Sequence, residues 1–135
     1  FNQDVQCMDG VEALIQDLNC KKIPWGIVTN KASKFSVPIV TDHPLLKHAL
    51  CLISGDDVNT PKPSPEGLMK AASMLSIQPS EVIYLGDDRR DVIAANDAGM
   101  ISMIARYGYL EAGDDGKNWN AHHIIDEPID LLNYL

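Results

Sequence analysis

The sequence predicts an α/β fold, a parallel sheet flanked by helices. Apolar runs of strand length alternate with stretches of helical periodicity, the order expected of consecutive strand–helix–strand units. The runs Trp25–Thr29, Leu50–Ser54, Val82–Gly86 and Ile101–Ala105 are also apolar nearly throughout rather than alternately, as strands covered on both faces are. A chain of 135 residues, 45% hydrophobic and 22% charged, suits one globular domain spanning residues 1–135. At that length it can bury about 68–70% of its unfolded surface without a disulfide or metal staple.

Gly10 opens the first helix, in which Val11, Leu14, Ile15 and Leu18 recur at helical spacing as far as Lys21 and Lys22. Trp25–Thr29 is the first strand. From Lys31 to Ala49 the helical pattern is interrupted by Pro38 and Pro44, which predicts two short helices or one broken one. Leu50–Ser54 is the second strand, and a loop rich in Pro, Asp and Asn leads from Gly55 to Pro63. A helix over Ser64–Leu75 and a third strand at Val82–Gly86 follow. Arg90–Ala98 is helical and is stopped by Gly99. Ile101–Ala105 is the fourth strand, and a loop rich in Gly, Asp and Asn runs from Tyr107 to Ala121. Ile124 and Ile125 make a last short strand, and Pro128 stands in the first turn of a closing helix that reaches Leu135.

Eleven basic against nineteen acidic residues give a formal net charge of −8, which argues against nucleic acid or an anionic membrane surface as partner. A local basic site for a small anion is compatible with it. Cys7, Cys20 and Cys51 are an odd number without a C-x-x-C pair, neither a disulfide framework nor a zinc signature, and they suit a reducing cytoplasm. No apolar run approaches the roughly 18 residues of a membrane span. The chain opens at Phe1, without Met, inside an established pattern, and this predicts a fragment.

In parallel sheets ligands bind beyond the carboxyl ends of the strands. That rule selects Thr29 and Asn30 after the first strand, Ser54–Asp56 after the second, and Gly86–Asp88 after the third. Asp87 and Asp91 stand four apart at a strand-to-helix junction, so both can face one point. Paired carboxylates there suit Mg²⁺, which takes oxygen ligands and keeps waters that a phosphate can replace. The same acids could instead only cap a helix, where they complement its dipole. Thr29 and Asn30 offer a hydroxyl and backbone N–H groups to an anion, or alternatively an N-cap. Lys62 lies between Pro61 and Pro63 on a loop stiffened again by Pro65, and can neutralise a phosphoryl oxygen or simply be solvated. Hydroxyl, lysine and acids at strand ends are together the parts that phosphoryl transfer needs.

Val28-Thr29-Asn30-Lys31, then Lys62-Pro63-Ser64-Pro65, then Tyr84-Leu85-Gly86-Asp87-Asp88-Arg89-Arg90-Asp91 resemble motifs two, three and four of the haloacid dehalogenase superfamily. The likeness is greatest to its phosphoglycolate phosphatase-like branch. Asp9–Leu14 resembles the segment entering the core after the cap, and Ala95–Met100 continues the fourth motif. The resemblance implies a Rossmann-like core and an Mg²⁺-dependent phosphatase of small phosphorylated metabolites, working through an aspartyl-phosphate. It implies that Thr29 binds the transferred phosphoryl group with backbone help from Asn30, and that Lys62 stabilises the nucleophile and phosphate charges. Asp87 would ligate the metal, Asp91 would support the metal shell or orient Lys62, and Asp88 would stand further out in that shell.

The sequence departs from the family pattern at one point. The family's nucleophile and acid/base partner lie in a D-x-D motif after the first strand, and no D-x-D occurs here. Asp4 and Asp9 fall in the post-cap segment. The resemblance therefore implies that the first strand, the nucleophile and the cap are absent from this sequence, and that these residues alone do not turn over substrate. The absent strand would lie between Trp25–Thr29 and Val82–Gly86. Its place would be filled by a chain carrying the upstream half, by a strand from another copy, or by direct pairing of the two flanking strands.

Two further readings compete. Tyr107–Leu110 and the tail from Trp119 to Leu135 look similar to phosphatases of N-acetylmuramate 6-phosphate. A non-catalytic binding or assembly module is the other. A phospho-accepting receiver domain also combines acids, Thr and Lys, but in an order opposite to that of Thr29, Lys62 and Asp87. His43, His48, His122 and His123 have no metal-ligand spacing and read as surface or packing residues, as do Trp25 and Trp119. Gly113–Asn118 reads as a turn rather than a phosphate loop.

Overall fold

A computed structural model describes residues 10–107 and 116–135. Helix α1 (Val11–Cys20) turns Leu14, Ile15 and Leu18 inward, as its periodicity predicts. β1 (Ile27–Val28) is followed by α2 (Ser33–Asp42) and a 3₁₀ turn at Leu46–His48. The break falls at Pro44, whereas Pro38 sits inside α2. Pro38 removes one N–H, but buried Val40 and a 2.6 Å bond between the hydroxyls of Ser36 and Ser54 hold the helix against the core. β2 (Leu52–Ile53), α3 (Glu66–Leu75), β3 (Ile83–Gly86) and α4 (Arg89–Ala98) follow. Gly99 ends α4 at φ 79°, a left-handed position that favours glycine. β4 (Ile101–Ala105) and β5 (His123–Ile125) complete the strands, and the closing segment Pro128–Tyr134 is 3₁₀ rather than α-helical.

Every strand pair is parallel, as predicted, and the residues of each strand alternate between two apolar layers. Ile27, Leu52, Ile83, Leu85, Met103 and Ile125 face α1, α2 and the closing turn. Val28, Ile53, Val82, Tyr84 and Ile104 face α3 and α4. The result is a sheet layer between two helical layers.

The strands form two ladders, β1-β2 and β3-β4-β5, and among the described residues no rung joins β1 to β3. Direct pairing of the flanking strands, one of the three outcomes expected above, is therefore not what the chain adopts. The physical reason lies in side chains. Ile27 and Thr29 donate their N–H groups to Cys51 O (3.0 Å) and Ile53 O (2.9 Å) on β2, so Val28 presents its carbonyl to the other side. There the hydroxyl of Tyr84 on β3 donates to Val28 O at 3.2 Å, which satisfies the carbonyl without a backbone rung.

Candidate active site

The carboxyl ends of β1 and β3 carry the sequence-predicted residues. Thr29 extends β1 by donating its N–H to Ile53 O, so that N–H is spent on the sheet. Its hydroxyl accepts the Lys31 N–H at 3.2 Å and keeps its own proton to give. Helix α2 starts only at Ser33, and the Ser33 N–H goes to Asp56 Oδ1 at 2.8 Å. Thr29 and Asn30 thus form a turn before the helix rather than its N-cap, because Asp56 caps the helix from the loop after β2.

Asn30 acts through its side chain. Its Oδ1 accepts the Lys62 N–H at 3.0 Å, and its Nδ2 donates to Lys62 O at 3.1 Å. One amide therefore grips both backbone polar groups of the lysine and fixes the proline-rich loop to the end of β1. Glu66 braces the same loop by accepting the N–H groups of Asn59 (2.8 Å) and Thr60 (3.2 Å).

From that position the Lys62 ammonium reaches Asp91 Oδ1 at 2.6 Å, Tyr84 Oη at 3.0 Å and Val28 O at 3.4 Å. Lys62 and Asp91 expose only 11% and 10% of their side chains, so this pair is screened little by solvent. Burial pulls the Lys62 ammonium toward release of its proton. The Tyr84 oxygen and the Asp91 carboxylate outweigh it, and the lysine is held above its usual range. Burial raises the Tyr84 phenol to about 12, so it is a neutral hydroxyl at physiological pH. Tyr107 is likewise pushed up to about 12, by burial and then by the charge of Asp87.

The acidic turn divides its work. Asp88 caps α4: its side chain accepts the Arg90 N–H at 2.9 Å and pairs with the Arg90 guanidinium at 3.1 and 3.2 Å. Those contacts hold its carboxyl below the ordinary range. Asp91 Oδ2 accepts the N–H groups of Asp87 (3.1 Å) and Asp88 (3.2 Å), which folds the turn back on the helix and leaves Oδ1 to Lys62. Gly86 is required for this fold-back, because a Cβ there would collide with the Asp91 carboxylate. Capping, the plainer of the two readings of these acids, is thus realised by Asp88 and Asp91 together.

The structure brings Thr29, Asn30, Lys62, Asp87 and Asp91 to one edge, and turns Asp88 to Arg90. Among the described residues no three His, Cys, Asp or Glu side chains surround a point that could hold a metal ion. The donor chemistry nonetheless suits Mg²⁺ in one respect. That ion takes one or two carboxylates and fills the rest of its shell with water and phosphate oxygens. Asp87, at the tip of β3, is a carboxylate of the kind required.

Sequence reasoning missed Tyr84, whose signal was a hydroxyl in an otherwise aliphatic strand that must find a partner. It also missed the side-chain role of Asn30. Two of the histidines serve backbone groups: His43 Nδ1 accepts the N–H groups of Leu45 and Leu46, and His122 Nδ1 accepts that of Ser102.

The chain belongs to the haloacid dehalogenase-like hydrolase family, which it matches over residues 1–105. Its relatives carry more particular names. An N-acetylmuramic acid 6-phosphate phosphatase of Pseudomonas putida is 37% identical over 91% of this chain and 55% of its own length. A phosphoglycolate phosphatase of Xylella fastidiosa is 39% identical over 89% of this chain and 52% of its own. The crystal structure of a predicted phosphoglycolate phosphatase from Haemophilus somnus shares the fold, with a TM-score of 0.85 at 23% identity over 94% of this chain and 56% of that one. The chain therefore spans about half the length of the relatives it matches. No helix among the described residues is long and apolar enough to cross a membrane.

Proposed function

We propose that residues 1–135 are the core part of an Mg²⁺-dependent phosphomonoesterase acting on a small phosphorylated metabolite in the cytoplasm. One observation supports this above the rest. A lysine held at its backbone by Asn30 and at its head by Asp91, the same carboxylate that folds back the Asp87 turn, stands at the carboxyl ends of β1 and β3. In this reading the Thr29 hydroxyl and the Asn30 backbone receive a phosphoryl oxygen, and Lys62 offsets its negative charge. Asp91 orients Lys62, and Asp87 is the metal ligand. Asp87 would hold the Mg²⁺ ion, which when bound would supply positive charge to the phosphoryl oxygens. The aspartate that attacks phosphorus is expected upstream of these residues, since they contain no D-x-D.

Phosphoglycolate and N-acetylmuramate 6-phosphate are the two leading substrates, because relatives of 39% and 37% identity bear those names. Release of inorganic phosphate from each, by the complete gene product with Mg²⁺ or with chelator, decides between them. Asp87→Asn is expected to lower turnover at least about 100-fold, the scale of losing one preorganised charged group, whereas His43→Ala leaves turnover intact. Full turnover in chelator would overturn the metal assignment. The isolated 135-residue chain is expected to release no phosphate.

A further inference from the structure

Asp56 follows β2, yet its carboxylate serves the segment that follows β1. Oδ1 accepts the Ser33 N–H at 2.8 Å, and Oδ2 accepts the Ser33 hydroxyl at 2.7 Å. One residue earlier, the Gly55 N–H donates to Lys31 O at 2.7 Å. One residue earlier again, the Ser54 hydroxyl meets that of Ser36 at 2.6 Å, both residues being buried. Three consecutive residues thus hold the chain at Ser33, Lys31 and Ser36, directly after Thr29 and Asn30. The grip is itself braced: Asp57 Oδ2 accepts the Ser54 N–H at 2.8 Å, and Asp57 O accepts the Lys70 ammonium of α3 at 2.8 Å. Gly55 lies so near that a Cβ there would run into Asn30 O, a backbone atom that cannot swing aside. All these contacts lie on the β2 side of β1, so a strand between β1 and β3 leaves them in place.

We propose that Asp56 is a positioning residue, which with the Gly55 N–H clasps the turn after β1 and sets the Thr29 hydroxyl and the Asn30 amide before an anion arrives. Its reach extends to Lys62, because the Asn30 side chain holds both backbone polar groups of that lysine, at 3.0 and 3.1 Å. A plain helix cap accounts only for the Ser33 N–H. The start of a helix leaves N–H groups without partners, not carbonyls, so the bond to Lys31 O serves the turn and not α2. The two bonds from Ser33 also hold the Asp56 carboxyl below its usual range, which keeps it an acceptor at physiological pH. The consequence for phosphate and turnover rests on the hydrolase reading above, while the clasp rests on the geometry alone.

The test separates the two, with the complete gene product throughout. In its ¹⁵N spectrum the Asn30 side-chain amide gives a pair of peaks that Asn30→Asp removes. Asp56→Ala is expected to shift that pair and to weaken binding of inorganic phosphate about 10-fold by calorimetry. Asp56→Asn still accepts the Ser33 N–H and can donate to the Ser33 hydroxyl, so it is expected to keep the pair near its place and phosphate affinity within about 2-fold. His43→Ala, which removes the acceptor of two N–H groups just past α2, is expected to change neither. If Asp56→Ala fails to fold, Ser33→Ala removes only the hydroxyl contact and is expected to shift the same pair. In kinetics Asp56→Ala is expected to raise KM about 10-fold and kcat to change less than about 3-fold, since the turn meets phosphoryl oxygens in substrate and transition state alike. A merely destabilising change lowers the folded fraction, and so kcat at unchanged KM. That pattern, an unchanged Asn30 pair in the folded variant, or an Asp56→Asn as impaired as Asp56→Ala would overturn the proposal. A gene product that neither binds phosphate nor hydrolyses a phosphomonoester would sink the hydrolase reading, and the Asn30 pair would still decide the clasp.

Discussion

At residue scale the site is organised around one buried charge. The Lys62 ammonium and the Asp91 carboxylate satisfy each other in a nearly dry setting, and removing either leaves the other uncompensated. Lys62→Met is expected to cost about 3–5 kcal/mol in urea unfolding, the range for breaking such a pair, and adding Asp91→Asn is expected to restore part of it. Equal stability of the single and double variants would show that the pair is not coupled. Asn30→Asp is a finer probe, being almost isosteric. A carboxylate can still accept the Lys62 N–H but has nothing to donate to Lys62 O, so two acceptors would face each other. The variant is expected to bind phosphate at least about 10-fold more weakly, a loss of about 1.4 kcal/mol, by calorimetry on the complete gene product.

At the scale of elements, helix α4 shows how structural and chemical duties are divided among neighbouring acids. Asp88 serves the helix, so Asp88→Ala is expected to lower stability by about 1 kcal/mol, the usual worth of an N-cap, while leaving the Lys62–Asp91 pair in place. Destabilisation accompanied by a lost pair would place Asp88 in the site instead. The elements themselves were largely legible in the sequence. β4 matched to the residue because a run apolar at all but Ser102, closed by Gly99 on one side and Arg106 on the other, admits little else. The division of the acids was not legible, because spacing along a helix puts Asp87 and Asp91 on one face without saying which atom each meets. Asn30 was equally opaque: its partners lie 32 residues away, and a local pattern carries no trace of them. Pro38 marks a break by its chemistry alone, but tertiary packing of α2 overrides it.

At the scale of the whole molecule, two buried phenols set the alkaline limit. Tyr84 and Tyr107 lose their protons near pH 10 when unfolded and near pH 12 when folded. The folded chain therefore keeps protons that the unfolded chain has released, and stability that is complete below about pH 10 falls as pH rises toward 12. Tyr84 is expected to account for about 2–3 kcal/mol of that fall, from its two-unit shift, and the more exposed Tyr107 for less. Lys62 acts in the same direction, since its ammonium is held above the ordinary value and its contribution is lost as pH rises through the raised one. Urea unfolding at pH 8, 10 and 11.5 tests this, and a Tyr84→Phe curve as steep as the parent's would refute it.

The division of the strands into two ladders also bears on how the chain opens. Among the described residues no rung joins β1 to β3, so fraying one ladder breaks no backbone hydrogen bond of the other, and side chains hold the joint between them: Trp25, Val28, Tyr84 and the Lys62 head. Such a molecule breathes in two units. Amide protons of β3, β4 and α4 are expected to exchange together and slowest, and those of β1 and β2 to form a faster class of their own. A single exchange class across both ladders would mean that the side-chain joint transmits opening as fully as a backbone ladder does.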